Sequence, residues 1–565
     1  MNRDRNPRWL GRAAWATAVA LPVTFLLVFF LWPVLSLMAV GFGGSIGASD
    51  PQTPGLSGFS AVFEDARTWR VIGQTLAQGC CGMALSVILG LPAAFVLYRL
   101  EFRGRALLRG LATVPFVLPT VVVGVAFTAL LGPGAPLEWL GLDQSFIIIV
   151  LALAFFNVTV VARTVGGFWA QLDAREEQAA RMLGASPVRV FLTVTLPRLT
   201  PALASSAALV FLFCATSFGV VLVLGGRAFS NIETEIYRLT VQYLDLRSAA
   251  VLSIVQFVIV VAVLLVSNHL RRRREQATQM RFDASQQVRV SREHVPAILA
   301  FAVTALLLHV LPIAALVTRS LRDADGNFTL VNYANLVHPP SSSKLGASVF
   351  DSILLSLEFA VYATLISMSL GLLVALVASR RPRRLAWRRG IEAFDGFVML
   401  PLGVSAVTVG FGLLLTMHRP LGIGIDLRTS VLLIPIAQAV VALPLVVRTL
   451  LPVLRGIDER QRQAASVLGA SPLRVLATID LRVLLRPLGL SLGFAFAASL
   501  GEFGATAFLV RPASQTLPVM ISQLIGKQGA ENYGMALAGA VVLAALTAGV
   551  MLLAERLRGS VVSEV

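Results

Sequence analysis

The sequence predicts an all-α integral membrane protein in which about twelve spanning helices form two parallel repeats of six. Three observations support this fold class: the composition, the spacing of the apolar segments, and the similarity between the two halves of the chain. Of the 565 residues, 56% are hydrophobic and only 14% are charged, and the mean hydropathy is +0.79. Soluble domains have about 45–50% apolar and about 25% charged residues. The composition therefore excludes the water-soluble classes of protein.

The net charge of +17 arises from arginines that stand in short clusters between the apolar segments. In a soluble domain such a charge would suggest nucleic-acid binding, but the cytoplasmic loops of membrane proteins carry the same clusters. The clusters lie within residues 3–12, 99–109, 271–274 and 380–389. We expect all four on the cytoplasmic side, together with both termini, and we expect no nucleic-acid partner.

Twelve segments have the roughly 20 apolar residues that a helix needs to cross the hydrocarbon core. The predicted spans are residues 14–40, 71–98, 107–131, 146–169, 203–224, 249–270, 297–317, 352–378, 397–417, 431–450, 488–510 and 533–553. The first span follows a basic segment, as the apolar region of a signal peptide does. Its apolar run of about 25 residues is too long for a signal peptide, so we expect it to be retained as a span.

The second half of the chain repeats the first. Residues 178–187 (QAARMLGASP) recur as residues 463–472 (QAASVLGASP), an offset of 285 that also relates Phe218-Gly219 to Phe503-Gly504. Near this offset, Leu89-Gly90-Leu91 matches Leu370-Gly371-Leu372. Because six spans return the chain to its starting side, the two repeats have the same orientation. We predict a first repeat over residues 1–270, a cytoplasmic linker over residues 271–295 and a second repeat over residues 296–565.

The repeated decapeptide has the local signals of a helix, a tight turn and a second helix. Asp173 and Asp458 stand where they can cap the start of the first helix. Gly184 and Gly469 fit the left-handed position just past its end. A serine and a proline then begin the second helix in each copy, at Ser186-Pro187 and Ser471-Pro472. We interpret the loops as docking elements, and a mere relic of duplication is the alternative.

At these residues the chain resembles a known family. Glu177-Gln178-Ala179-Ala180, followed by Gly184 and by Leu196-Pro197, is similar to the EAA loop of binding-protein-dependent ABC importer permeases of the type I fold. The resemblance implies that each loop docks on an ATPase subunit. The coupling residues that it implies are Glu177, Ala179, Ala180, Gly184, Ser186, Gln463, Ala464, Ala465, Gly469 and Ser471. The chain departs from the family pattern with glutamine at 178 and 463, where a second acid is commoner, and with Leu481-Arg482 in place of Leu-Pro.

The resemblance also implies the partners. They are two copies of an ATPase subunit, which uses ATP and Mg, and an extracytoplasmic binding protein that delivers a small solute to a permease in the bacterial cell membrane. The fusion of both halves on one chain resembles the thiamine and ferric-iron permeases. The stretches after Ser217 and after Gly501 resemble the thiamine branch more, so we expect a thiamine-like cation. Ferric iron is the alternative, and an oxyanion or another solute is a third.

No catalytic or cofactor-binding site is expected in this chain. Its only lysines, Lys344 and Lys527, lie outside any phosphate-binding GxxxxGK[ST] sequence, and its five histidines lack metal-ligand spacing. We therefore expect that it is not an enzyme and binds neither metal nor cofactor. A stand-alone secondary transporter would also have twelve spans in two halves. That alternative does not explain the duplicated loops.

Polar side chains within the predicted spans are candidates for the translocation pathway, because polar groups are costly at membrane depth. Glu502 is the strongest candidate, and Ser217 occupies the matching position of the first repeat. Asn157 and Glu358 are weaker candidates. For each of them, bonding between helices is the alternative interpretation.

Overall fold

The computed structural model describes residues 8–43, 57–275, 288–343, 346–380, 384–420, 424–512 and 514–559. The arginines at positions 3 and 5 and the middle of the predicted linker, residues 276–287, lie outside these ranges. Within these ranges, helices make up the regular structure apart from two short strands, Leu100–Glu101 and Val288–Arg289, which pair in parallel. The prediction of an all-α protein is confirmed.

The helices run in the following order along the chain. The α-helices of the first half are Arg8–Leu26, Trp32–Gly41, Ser57–Glu64, Ala66–Tyr98, Arg105–Leu111, Val114–Val117, Thr120–Leu131, Phe146–Trp169, Arg175–Met182, Pro187–Val190, Leu196–Ala215, Phe218–Leu224, Ile232–Arg238 and Leu246–Glu275. Those of the second half are Val295–Thr304, Leu311–Ser320, Val331–Val337, Val349–Ala378, Leu385–Met399, Ala406–Thr416, Leu433–Arg455, Glu459–Val467, Pro472–Val475, Leu481–Leu500, Thr506–Leu509, Leu517–Gly526 and Ala530–Gly559. Single π-helical turns join several of these helices, at Leu27–Leu31, Phe191–Thr195, Leu239–Tyr243, Ala305–Val310 and Leu476–Asp480. Short 3₁₀ turns lie at Glu138–Leu140, Arg292–His294, Ser341–Ser343, Leu400–Gly403 and Leu427–Thr429.

Among the described residues, nine helices are long and apolar enough to cross a membrane. Three further helix pairs meet the same test only when both members are taken together. The total reaches the predicted twelve if each bent pair is one span. These pairs show where an apolar segment is not one straight helix.

The third and ninth predicted spans are not continuous helices. The helices on either side of Pro119 are bent by 98°, and those on either side of Val404-Ser405 are bent by 96°. A residue before proline is driven out of the helical region, and Leu118 accordingly has φ −62° and ψ 138°. In the second repeat the break falls three residues after Pro401, at Val404, with φ −120° and ψ 138°.

The fifth and eleventh predicted spans begin and end too late. The fifth helical segment runs continuously from Pro187 to Ala215 and stops before Ser217, whereas the prediction placed it at residues 203–224. The eleventh ends at Leu500, before a non-helical turn that contains Glu502, and it is bent by 57° next to Pro487. A hydropathy window continues through such turns because it counts apolar residues and not backbone hydrogen bonds.

The chain forms two compact units, and their boundaries differ from those of the repeats. One unit comprises Met1–Leu56, Leu345–Met520 and Leu543–Val565, and the other comprises Ser57–Lys344 and Ile521–Val542. In the first unit, Leu26 and Phe30 of the first span share a core with Leu443 of the second repeat. In the other unit, His309 contacts the ring and carbonyl oxygen of Phe155 in the first repeat. Each repeat thus contributes its first span to the unit that holds most of the other repeat. The repeat boundaries at 270 and 296 stay a sequence-based prediction.

Each unit contains one helix pair packed around a repeated glycine. A Cβ atom on Gly90 would lie 2.6 Å from Cβ of Val161, and one on Gly371 would collide with Cγ1 of Val446. Small residues allow such close approach of spanning helices. The repeated Leu-Gly-Leu motif is therefore explained by packing in both copies.

Candidate functional site: the two repeated loops

Both repeated loops fold into the same helix, turn and helix. We refer to residues 173–190 as the first repeated loop and to residues 458–475 as the second. The first contains the helices Arg175–Met182 and Pro187–Val190, and the second contains Glu459–Val467 and Pro472–Val475. The predicted helical form of both loops is confirmed.

Glycine ends the first helix of each loop in the left-handed conformation. Gly184 has φ +84° and Gly469 has φ +83°. In the first loop, Ala185 N–H donates to the carbonyl of Ala180 at 3.1 Å, and Gly184 N–H donates to that of Arg181 at 2.9 Å. This bond pattern closes a helix on a glycine. The second loop repeats it, with bonds of 3.0 Å from Ala470 to Ala465 and 3.1 Å from Gly469 to Ser466.

The helix starts follow the predicted caps in both loops. Ser186 Oγ accepts from the N–H of Arg189 at 3.4 Å, and Ser471 Oγ accepts from that of Arg474 at 3.3 Å. Asp458 caps the first helix of its loop. In the first loop Asp173 Oδ1 likewise accepts from the N–H of Arg175 at 2.9 Å, which matches the 2.9 Å bond from Arg460 to Asp458.

The turns present a pair of apolar side chains to the outside. Met182 and Leu183 are both 89% exposed, and Val467 and Leu468, at the matching positions, are both 87% exposed. Among the coupling residues implied by the sequence, Ala179 and Gly184 are exposed beside the first pair. Each turn thus leaves two adjacent apolar side chains uncovered. Neither pair is among the site residues predicted from the sequence.

The first loop is held in place by an ion pair. Arg99 Nη2 lies 3.1 Å from Glu177 Oε2, and the side chain of Arg99 is 1% exposed. Thr195 Oγ1 donates to Glu177 Oε1 at 2.9 Å. Glu177 therefore connects the loop to the end of helix Ala66–Tyr98 and to the helical segment that follows the loop.

The second loop is held by a larger ion cluster of different composition. The carboxylate of Asp480, fully buried, contacts Arg380 Nη2 at 2.7 Å and Arg462 at 2.8 Å. Arg462 also contacts Glu459 at 2.8 Å. Burial alone lowers the pKa of Arg462, but its hydrogen bonds to Glu459 and Asp480 outweigh this effect, and its pKa lies above the ordinary value. The group stays charged.

Sequence reasoning missed Arg462 and Asp480, although the repeat itself contains the signal. Extending the 285-residue offset one position upstream of Gln178 aligns Glu177 with Arg462, and extending it downstream aligns Thr195 with Asp480. The departure at Leu481-Arg482 has no local effect on the backbone. A π-helical turn precedes this position in both copies, at Phe191–Thr195 and at Leu476–Asp480.

The end of the predicted linker contacts the first loop. The N–H of Val288 donates to the carbonyl of Arg99 at 2.9 Å. Glu293 Oε2 lies 3.2 Å from Nη1 of Arg181, and both side chains are about half exposed. The linker thus returns to the base of this loop before the second repeat begins.

Glu502 caps a short helix. Its Oε1 accepts from the N–H of Ala505 at 2.7 Å, and its Oε2 accepts from the N–H of Thr506 at 3.0 Å and from the Thr506 hydroxyl. The side chain is buried. Both oxygens are thus used at the start of helix Thr506–Leu509, which gives this acid a local structural role.

Of the other pathway candidates, Asn157 and Ser217 both bond to Cys214 in one unit, and Glu358 belongs to the other unit. Asn157 is buried, and its Nδ2 donates to the carbonyl of Leu153 at 2.8 Å and to Cys214 Sγ at 3.4 Å. Ser217 is buried three residues after Cys214, and its carbonyl accepts from Asn231 at 2.8 Å. Glu358 is exposed and accepts from the hydroxyl of Tyr362, one turn later, at 3.0 Å.

Comparison with known proteins gives a family match in each half. The family model described as "Binding-protein-dependent transport system inner membrane component" matches residues 86–278 and 367–562. These two ranges contain both repeated loops and make up more than half of the chain.

Three curated proteins are similar over nearly the whole chain. The "Thiamine transport system permease protein ThiP" of Brucella abortus (strain 2308) is 27% identical over 545 residues, which cover 93% of this chain and 94% of that protein. The protein of the same name from Escherichia coli (strain K12) is 26% identical, with coverages of 84% and 86%. The "Probable ABC transporter permease protein y4fN" of Sinorhizobium fredii (strain NBRC 101917 / NGR234) is 24% identical, with coverages of 94% and 95%.

One solved structure covers half of the chain. A bacterial ABC transporter involved in the import of the acidic polysaccharide alginate matches with a TM-score of 0.40 and 20% identity, over 48% of this chain and 99% of that chain.

Proposed function

Because the chain belongs to the family of binding-protein-dependent transport system inner membrane components, we propose that its two repeated loops are the contacts through which separate ATPase subunits drive transport. The family match confirms the resemblance indicated by the sequence, and it makes the chain a membrane permease component. The stand-alone secondary transporter is not supported.

The observation that carries the ATPase contact is the shared geometry of the two loops. Each loop has a rigid turn with two apolar side chains that are at least 87% exposed. Burying a leucine-sized side chain stabilises a contact by about 1.5–3 kcal/mol. Two such side chains on a preorganised turn form a compact anchor for a pocket on a partner. Because the chain contains two equivalent anchors, we propose two ATPase copies, one on each loop.

ATP and Mg belong to those partners in this proposal. The chain itself acts through its loops and binds neither. The loops then lie in the cytoplasm, in agreement with the arginine clusters, and both termini lie on the same side. A binding protein delivers the solute at the opposite face of the bacterial cell membrane.

We propose thiamine, or a closely related cation, as the solute. The proposal is supported by relatives with thiamine in their names, which are 26–27% identical over most of this chain. Their names favour thiamine over ferric iron, the alternative that the sequence left open. The pathway residues stay a proposal, and the capping bonds of Glu502 favour a structural role for that side chain.

Transport by a reconstituted complex tests the proposal. The chain is placed in proteoliposomes with its ATPase and its binding protein, and uptake of radiolabelled thiamine is measured with and without ATP. We expect ATP-dependent uptake that unlabelled thiamine abolishes and that ferric citrate leaves unchanged. ATP-dependent uptake of labelled ferric iron, without uptake of thiamine, would transfer the solute assignment to iron. Thiamine uptake without ATPase, driven by a proton gradient, would refute the coupling mechanism.

A further inference from the structure

The two repeated loops are anchored by the same three positions with different charges. In the first repeat these positions hold Arg99, Glu177 and Thr195. In the second repeat the matching positions hold Arg380, Arg462 and Asp480. The arginine at the end of the preceding span is kept, at offset 281, while the other two residues have both changed.

The two changes compensate each other. In the first loop the carboxylate stands on the docking helix, at Glu177, and contacts the arginine 3.1 Å away. In the second loop the carboxylate stands on the following helical segment, at Asp480, and contacts the arginine 2.7 Å away. The docking helix there carries Arg462 instead, which bonds to the same carboxylate at 2.8 Å.

Both arrangements balance positive and negative charge around a buried side chain, Arg99 in the first loop and Asp480 in the second. The first pairs the cation of Arg99 with the anion of Glu177. The second combines two cations, Arg380 and Arg462, with two anions, Asp480 and Glu459. An unpaired charge at such a site is strongly destabilising, so neither change is tolerable without the other. In both repeats the carboxylate is the group that ties the docking helix to the two segments beside it.

We propose that residues 177 and 195, and likewise 462 and 480, are positioning pairs that hold the coupling helices, and that the two pairs are interchangeable between the repeats. This inference rests on the proposed function of the loops. The pairs touch neither nucleotide nor solute and act by fixing the direction in which each apolar turn faces its ATPase. Charge reversal at one position of a pair misplaces the helix, and the matching change at the other position restores it.

The test exchanges the pair of the second loop for that of the first. Arg462→Glu, Asp480→Thr and the double variant are compared in the reconstituted transporter with ATPase and binding protein. Arg462→Glu brings two acids together, and Asp480→Thr leaves two arginines without their shared carboxylate. In the double variant a glutamate at 462 is expected to pair with Arg380 as Glu177 pairs with Arg99. Glu459 then loses its partner, but its side chain is 50% exposed and can be hydrated.

The decisive quantity is the amount of solute transported per ATP hydrolysed, at matched membrane abundance. We expect each single variant to lower this ratio about tenfold, and the double variant to recover to within about threefold of the original chain, as coupled neighbours do in a double-mutant cycle. Asp480→Asn, which keeps the size of the side chain, serves as a milder second variant if either single variant accumulates poorly. Asp426→Asn, at an exposed ion pair with Arg428 in the same repeat, is the matched control and should leave the ratio unchanged.

Two results would overturn the inference. One is a double variant no better than the worse single variant, and the other is a loss of abundance or melting temperature in the single variants with an unchanged ratio. Failure of the proposed function gives a different result, because the original chain itself would then bind no ATPase. Binding of ATPase to the original chain is therefore measured first.

Discussion

The exposed apolar pairs give the sharpest prediction for ATPase docking. We consider Leu183→Ala and Leu468→Ala, singly and together. Each leucine is at least 87% exposed in the free chain, so its removal takes away little internal packing. Leu183 closes the first helix of its loop with φ −82° and ψ 9°, and alanine adopts this conformation without strain. The melting temperature is therefore expected to stay unchanged.

The magnitude is set by the hydrocarbon that the ATPase would bury. Leucine to alanine removes three carbon groups, and each buried CH₂ contributes about 0.8 kcal/mol. If the ATPase covers the side chain fully, each loop loses about 2.4 kcal/mol of binding free energy. Because about 1.4 kcal/mol corresponds to a tenfold change in affinity, the dissociation constant at each loop should rise about 50-fold.

The assay measures binding of purified ATPase to the chain in nanodiscs by surface plasmon resonance. Trp139→Ala is the matched control, since Trp139 is 78% exposed in another loop that the predicted topology places on the opposite face. That variant should bind ATPase normally. An affinity within threefold of the original in the double leucine variant would refute the docking role of the turns.

Three further predictions concern the turn, the helix packing and Glu502. Gly184→Val should destabilise the turn by about 1–2 kcal/mol, because a left-handed φ is unfavourable for a branched residue, and should lower uptake. Gly184→Asn should retain most of the uptake, since asparagine tolerates this conformation. Equal uptake by the two variants would contradict this prediction. Gly90→Ala should lower the melting temperature through overpacking, which costs about 1–3 kcal/mol of stability. Val161→Gly removes the Cβ that the new methyl group would meet and should recover part of the loss, while Gly73→Ala on the same helix, with no atom within 4 Å of the added Cβ, should be neutral. Glu502→Gln should lower the melting temperature, because the amide nitrogen of glutamine would face a backbone N–H that in the original chain donates to a carboxylate oxygen. The unmade hydrogen bond costs about 1–3 kcal/mol. An unchanged melting temperature together with lost uptake would instead support a pathway role.

The sequence was sufficient to predict the backbone of the two repeated loops, because the signals that determine it are local. A glycine after the last helical turn, and a serine before a proline, determine backbone bonds within a few residues. The structure contains these bonds in both copies, at Gly184 and at Gly469. The exposed apolar pair was missed because periodicity arguments treat Met182 and Leu183 as part of an ordinary helix. The left-handed turn after them is the feature that leaves both side chains uncovered.

The ends of the spans were harder to predict, since apolarity continues through a backbone break. The segment around Pro119 is uniformly apolar, yet its two helices meet at 98°. Proline signals such a break through the residue before it, but it does not indicate the angle. At Glu502 the difficulty is different. The sequence shows a buried-looking acid, and only the fold shows that its two oxygens are already occupied by the start of the next helix.

The exchange of first spans between the two units illustrates a general limit on predicting helix packing from sequence. Sequence similarity identifies which segments share an origin, whereas packing depends on which apolar faces fit together. Within a membrane, lipid tails are as apolar as leucine, so the choice of neighbour is made by close shape and small residues. The first span therefore packs near Leu443 of the other repeat, although hydropathy assigns it equally well to its own. The ion clusters differ from this case, because charge must be balanced locally. A compensated pair such as Arg462 and Asp480 therefore leaves a trace in the aligned repeats, while the contact between the first span and Leu443 leaves none.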